Sequence, residues 1–260
     1  MRTIAIANQK GGCGKTTTAV NLSAALAIAG CRVLLVDLDP QGHATLGAGH
    51  DPESLDKTVY HALTDANTPL LRAIVSTAVR GLNLAGSNIL LSGAEYDLVS
   101  LYGREYVLSQ QLNTVSAYYD LCVIDCSPSL NLLTLNALVA GDEVIIPVQT
   151  HYYALEGLKQ LLETVNIVQE KFNDKLKIAG MLLTFVESQT LLSRQIQQQM
   201  RDYFGETVFD TVIHRTVRLA EAPGAGESVM TYAPQSNAAA EYASLAQEIL
   251  NEHQAQVGVA

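Results

Sequence analysis

A chain of 260 residues, 48% of them apolar, is long enough to bury the core of one large α/β domain or two small ones. No apolar run reaches the ~18–20 residues that a membrane span needs. The four cysteines (Cys13, Cys31, Cys122, Cys126) match neither a disulfide framework nor a zinc pattern, so reduced thiols in a cytoplasmic protein are expected.

The net charge of −10 argues against a surface coated in nucleic acid, but the charge is unevenly spread. Residues 1–158 carry 8 basic and 14 acidic side chains, residues 159–218 carry 8 and 7, and residues 219–260 carry none and 5. The middle segment could hold a local phosphate-binding face; an ordinary mixed surface is the alternative.

The chain opens on a strand-like run, Thr3–Asn8, without the basic start or cleavage site of a signal peptide. A Gly-rich stretch follows, then an Ala- and Leu-rich helical segment, Thr17–Ala29, that stops at Gly30. Further short, almost wholly apolar strands are expected at Arg32–Asp37, Leu82–Ala85, Leu121–Asp125, Glu143–Val148, Ile178–Thr184 and Val208–Ile213. Residues 50–80 are the least regular and suggest a surface excursion with short helices. Leu155–Lys171 and Leu192–Phe204 have amphipathic helical period. This alternation predicts a single α/β domain over residues 1–260, doubly wound, with a mostly parallel central sheet of about seven or eight strands flanked by helices.

The most specific signal is Lys10-Gly11-Gly12-Cys13-Gly14-Lys15-Thr16-Thr17, between the first strand and the first long helix. Glycines let a backbone turn its N–H groups inward around phosphate oxygens, and the helix N-terminus adds the positive end of its dipole. In such a loop Lys15 reaches the β- and γ-phosphates and the Thr16 hydroxyl ligates Mg²⁺. A Gly-rich turn that merely caps a helix is the competing reading. A strict phosphate loop would begin with Gly five residues before Gly14; here that residue is Gln9, and Lys10 supplies a second lysine. Two strands end in acids at the edge where α/β ligand crevices form: Val36-Asp37-Leu38-Asp39-Pro40-Gln41-Gly42 and Val123-Ile124-Asp125-Cys126-Ser127-Pro128-Ser129. Either acid taken alone could be a helix cap or turn former.

The KGGxGKTT pattern resembles the deviant Walker A signature of the ParA/MinD superfamily, and the ParA/Soj-type resemblance extends over nearly the whole chain. It includes Pro147-Val148-Gln149, Tyr152-Tyr153-Ala154-Leu155-Glu156-Gly157 and Val217-Arg218-Leu219-Ala220-Glu221-Ala222-Pro223. The resemblance implies ATP and Mg²⁺ as cofactors and a weak, partner-stimulated ATPase. It implies a homodimer that sandwiches ATP, with Lys10 reaching the partner's phosphates. Asp39 would help hold the Mg²⁺ water and position the attacking water, and Asp125 would act on Mg²⁺ through water. Non-specific DNA and a ParB-like or other adaptor are the implied partners, and a chromosome, plasmid or protein cluster the implied cargo. No Lys or Arg follows Arg218, so a basic membrane-binding tail of the MinD kind is not expected.

Three departures stand out. The family's Pro-Arg-Asn beside the nucleotide is His214-Arg215-Thr216 here, which carries over only Arg215 as an ATP contact. Its Ser-x-Gly-Lys is Gly224-Ala225-Gly226-Glu227, and its aspartate-rich, arginine-containing segment is Glu187-Ser188-Gln189. Fewer phosphate-neutralising groups imply weaker, more salt-sensitive DNA binding, with Arg194, Arg201, Arg215 and Arg218 as the candidates. The competing function is a metabolic ATPase of the same superfamily that delivers a metal or iron–sulfur cluster. Only Cys122 and Cys126, around the second acidic strand end, favour it.

Overall fold

The computed structural model describes residues 1–150 and 154–257. Tyr152 and Tyr153 of the resemblance lie outside the described residues. Eight strands form one sheet in the order β3-β4-β2-β5-β1-β6-β7-β8. They are β1 (Arg2–Ile6), β2 (Val33–Leu38), β3 (Ile74–Ser76), β4 (Leu82–Ala85), β5 (Leu121–Cys126), β6 (Glu143–Gln149), β7 (Lys177–Val186) and β8 (Val208–His214). All neighbours run parallel except β3, which pairs antiparallel with β4. The doubly wound expectation holds. The strand absent from the sequence reading is β3, three residues inside the irregular 50–80 stretch. That stretch also holds the expected short helices, at Pro52–Ser54, Val59–Thr64 and Leu70–Ala73.

Among the described residues, six helices of nine or more residues cover the two faces: α1 (Lys15–Ile28), α2 (Val107–Val115), α3 (Leu132–Ala140), α4 (Ala154–Lys171), α5 (Leu191–Phe204) and α6 (Asn237–Val257). Strand periodicity sorts the core into two layers. Ile4, Ile6, Val33, Leu35, Leu121 and Val123 pack with α1 and α6. Ala5, Leu34, Val36, Cys122, Ile124 and Cys126 pack with α2 to α5. The same alternation assigns Asp37 and Asp125 to the α1 face and both cysteines to the opposite one.

Both sheet edges are protected. β3 is too short to offer a long edge. On β8, the amides of Asp210 and Thr211 donate to the Glu248 carboxylate at 2.7 and 3.2 Å, and the amide of His214 donates to Glu241 at 3.0 Å. Two carboxylates about two turns apart on the same side of α6 thus occupy amides of this edge strand. Glu241→Ala and Glu248→Ala should each cost about 1–2 kcal/mol, the scale of a lost hydrogen bond to a charged acceptor. Thermal unfolding should show a lower melting temperature for each; an unchanged value would mean that these contacts carry no stability.

Candidate nucleotide-phosphate site

The glycine-rich loop leaves the carboxyl end of central strand β1 and runs directly into α1. Its start is pinned from both sides: Asn8 donates to the Pro147 carbonyl at 2.7 Å and accepts the Lys10 amide at 3.0 Å. Its middle is pinned by the Thr184 hydroxyl of β7, which donates to the Cys13 carbonyl at 2.8 Å. Gly12 and Gly14 adopt φ of +72° and +88°, a region that other residues enter at a cost. At Gly14 a Cβ would also stand 3.3 Å from the Phe185 ring. Phe185 itself has φ +50°, a strained backbone held at the wall of the cleft. Asn8, Thr184 and Phe185 were not singled out in the sequence.

The first-turn amides of Lys15, Thr16 and Thr17 point out of the helix end by construction. The Lys15 ammonium, on a buried side chain, donates to the Lys10 carbonyl at 3.1 Å, inside the curve of the loop. Here the loop opens a cleft of about 600 Å³ lined by Gly11, Gly12, Gly14, Thr16, Thr17 and Asp39 among others. Further lining comes from Ser127 to Ser129, the end of the second acidic segment, with Asn131, and from Ile89 and Ser92 after β4, which the sequence did not single out. Asn131 caps α3 by accepting the Thr134 amide at 3.1 Å.

Two strand-end acids sit side by side below this cleft. Asp37 of β2 and Asp125 of β5 are register partners, both fully buried. Neither oxygen of Asp125 has a hydrogen-bond partner. Burial pushes its carboxyl well above the usual range, Asp37 pushes the same way, and the nearby Thr16 hydroxyl and Lys15 ammonium only partly oppose them. Asp37 is raised to about 6, again chiefly by burial, against donors from Thr45 and Asp39. Asp39, 8% exposed, accepts the Gln41 amide at 3.0 Å. Ionising Asp125 beside Asp37 and Asp39 would concentrate negative charge that Lys15 alone only partly offsets, a cost that a divalent cation would relieve. Among the described residues no three His, Cys, Asp or Glu side chains form a metal cage. An orphaned carboxylate, a threonine hydroxyl and a phosphate loop together suit Mg²⁺, which keeps several waters and takes ligands from phosphates.

The cysteines fit a cluster site poorly. Cys122 and Cys126 are 0% exposed, and burial pushes both thiols up, away from the thiolate that metal ligation requires. Arg215 is not part of the cleft lining; its guanidinium pairs with Glu187 at 2.9 Å. The four candidate arginines do not form one patch. Arg201 lies at the far end of α5, bound to the Phe209 carbonyl and 3.8 Å from Asp210. Arg194 in the first turn of α5, Arg215 and Arg218 lie at the carboxyl ends of the strands, and Arg218 pairs with Glu221 at 2.9 Å.

A doubly wound sheet with a phosphate loop after its central strand defines a P-loop nucleotide-binding protein. A family model described as an AAA domain matches residues 1–178. The sporulation initiation inhibitor protein Soj of Bacillus subtilis is 49% identical over 246 residues, covering 95% of this chain and 97% of that protein. The chromosome partitioning protein ParA of Myxococcus xanthus is 44% identical, covering 96% and 88%. A solved structure described as cobyrinic acid a,c-diamide synthase of Mycobacterium smegmatis, with a bound ATP analogue and magnesium, superposes with a TM-score of 0.87 at 38% identity, covering 98% and 96%. The chain belongs to the ParA/Soj family of partitioning ATPases.

The acid pair makes a pH prediction. A carboxyl whose folded pKa lies above its unfolded value near 3.8 binds its proton more tightly when folded. The resulting penalty is absent at low pH and grows as pH rises above that value. Without nucleotide, Asp125→Asn should therefore melt higher than the parent at about pH 7.5, with the gap closing towards about pH 4. A gap that ignores pH would show that the charge of Asp125 is not what costs stability.

Proposed function

We propose that this protein is an ATP-driven switch that positions a cargo by cycling between a monomer and an ATP-sandwich homodimer able to bind non-specific DNA. The observation that carries the reading is the cleft lined by the phosphate loop and Asp39, with the orphaned Asp125 buried beneath it. In this reading the amides of residues 11–17 cradle the phosphates and Lys15 holds the β- and γ-phosphates. Mg²⁺ would be held by the Thr16 hydroxyl, with Asp39 and Asp125 acting through water, and supplies charge neutralisation between phosphate oxygens. Asp39 orients the attacking water. Lys10 acts in trans: among the described residues its ammonium makes no hydrogen bond or ion pair, so it is available to a second copy's phosphates. Across the interface such a cation stabilises charge developing on the transferred phosphoryl group.

Hydrolysis is slow alone because Asp39 reaches its hydrolytic alignment only when an adaptor docks. DNA contacts come from Arg194, Arg215 and Arg218, with Arg201 displaced to a different part of the surface. Arg215 and Arg218 must trade exposed ion pairs for DNA phosphates. Such pairs are worth roughly 0–1 kcal/mol, so the exchange is affordable. No helix among the described residues is long and apolar enough to cross a membrane.

The amide-synthase description of the Mycobacterium smegmatis structure supplies a second reading, ATP-driven amidation. The partitioning relatives at 49% and 44% identity favour the switch over it. Metal or cluster delivery is disfavoured by the buried Cys122 and Cys126.

Lys15→Ala should lose ATP affinity in calorimetry, whereas Lys10→Ala should bind ATP as a monomer yet lose turnover and dimerisation. Asp39→Ala should retain ATP, accumulate as a dimer in light scattering, and shift random-sequence duplex DNA in a gel at low salt. Arg218→Glu in that background should abolish the shift and leave the dimer intact. Because contacts go to phosphates, the shift should fade steeply with salt. A trapped dimer that ignores DNA at low salt would sink the DNA half of the proposal.

A further inference from the structure

Asp37 is buried and strongly bonded, yet none of the steps above uses it. One of its oxygens accepts the Asp39 amide at 3.1 Å. The other accepts both the Thr45 amide at 2.8 Å and the Thr45 hydroxyl at 2.7 Å. A single carboxylate thus ties both ends of the loop that carries Asp39. With its hydrogen directed at Asp37, the Thr45 hydroxyl accepts a hydrogen bond from the Ser87 amide at 2.9 Å. The link therefore passes from β2 to the segment leaving β4. That segment supplies Ile89 and Ser92 to the lining of the cleft. Its first turn is fixed by Asn88, whose side chain accepts the Leu90 amide at 3.2 Å.

The two segments are packed too closely for the contact to be incidental. A Cβ at Gly86 would stand 3.2 Å from the Thr45 methyl and 2.5 Å from Leu55. A Cβ at Gly42 would stand 3.1 Å from the Ser87 carbonyl. Thr45 itself is fully buried. Its hydroxyl donates to Asp37 and accepts from the Ser87 amide.

We propose that Thr45 is a positioning residue for ATP hydrolysis: through its hydroxyl it holds the Asp39 loop to Asp37 and couples that loop to the Ile89–Ser92 wall. The proposal rests on the ATPase reading above. Displacing Asp39 by a fraction of an ångström would misplace an attacking water without removing any group that binds phosphate. Loss of the hydroxyl should therefore fall on turnover rather than on ATP affinity.

The test compares Thr45→Val with Thr45→Ser. Valine keeps the shape and the amide bond to Asp37 but removes the hydroxyl; serine keeps the hydroxyl and removes the methyl. At saturating ATP, Thr45→Val should lower kcat by about tenfold or more while its calorimetric ATP affinity stays within about threefold of the parent. Thr45→Ser should recover most of the turnover. Thr45→Val with parental turnover, or Thr45→Ser as impaired as Thr45→Val, would overturn the proposal. A parent protein that neither binds nor hydrolyses ATP would instead overturn the ATPase reading. Should Thr45→Val fail to fold, hydrogen exchange on the parent protein decides. The Ser87 amide should exchange more slowly with ATP and Mg²⁺ bound than without; unchanged exchange at Ser87 would refute the coupling.

Discussion

A buried carboxylate without a hydrogen-bond partner is among the least favourable groups a folded protein can hold, and Asp125 is one. It lies under the first turn of α1, flanked by Asp37 and by the Thr16 hydroxyl. The surrounding structure keeps this arrangement from relaxing. β1, β2 and β5 are central strands, so the acids cannot move toward solvent without breaking the sheet. The phosphate loop is held from β6 through Asn8 and from β7 through Thr184. Strain is thus concentrated where a cation and phosphates would remove it. That is the signature of a site built for a ligand rather than for stability.

How much of this was legible depends on whether the partners are near in sequence. The phosphate loop, the Asp39 segment and the Asp125 segment are each contiguous, and their spacing carries their chemistry. The strand pattern was equally plain, because buried parallel strands are short apolar runs. Helix α3 was less so: six of its nine residues are buried, and with Thr134 and Asn136 among them the segment has no exposed polar face to mark a helical period. The supports of the site were not visible at all. Asn8 and Pro147 are 139 residues apart, and Thr184 and Cys13 are 171 apart. Asparagine and threonine in apolar strands have no motif of their own, and only the folded sheet brings them to the loop. β3 stayed hidden for another reason, since three residues, two half-buried and one exposed, give no periodicity to detect.

The acidic composition and the proposed DNA affinity need reconciling. The carboxyl ends of the strands carry Arg194, Arg215 and Arg218, and two of these are matched by Glu187 and Glu221. A single copy therefore presents little uncompensated positive charge above a chain of net charge −10. On the proposed reading, ATP changes this by doubling the arginines on one assembly rather than by altering any one of them. Two weak patches held together act through effective concentration, so their contributions to binding reinforce each other. The glutamate partners then have a use. In that proposal they would keep the monomer from binding DNA, while exposed pairs remain weak enough to be displaced by a phosphate. DNA affinity would then be a property of the pair of chains, and the nucleotide proposed to hold the pair together would set when it appears.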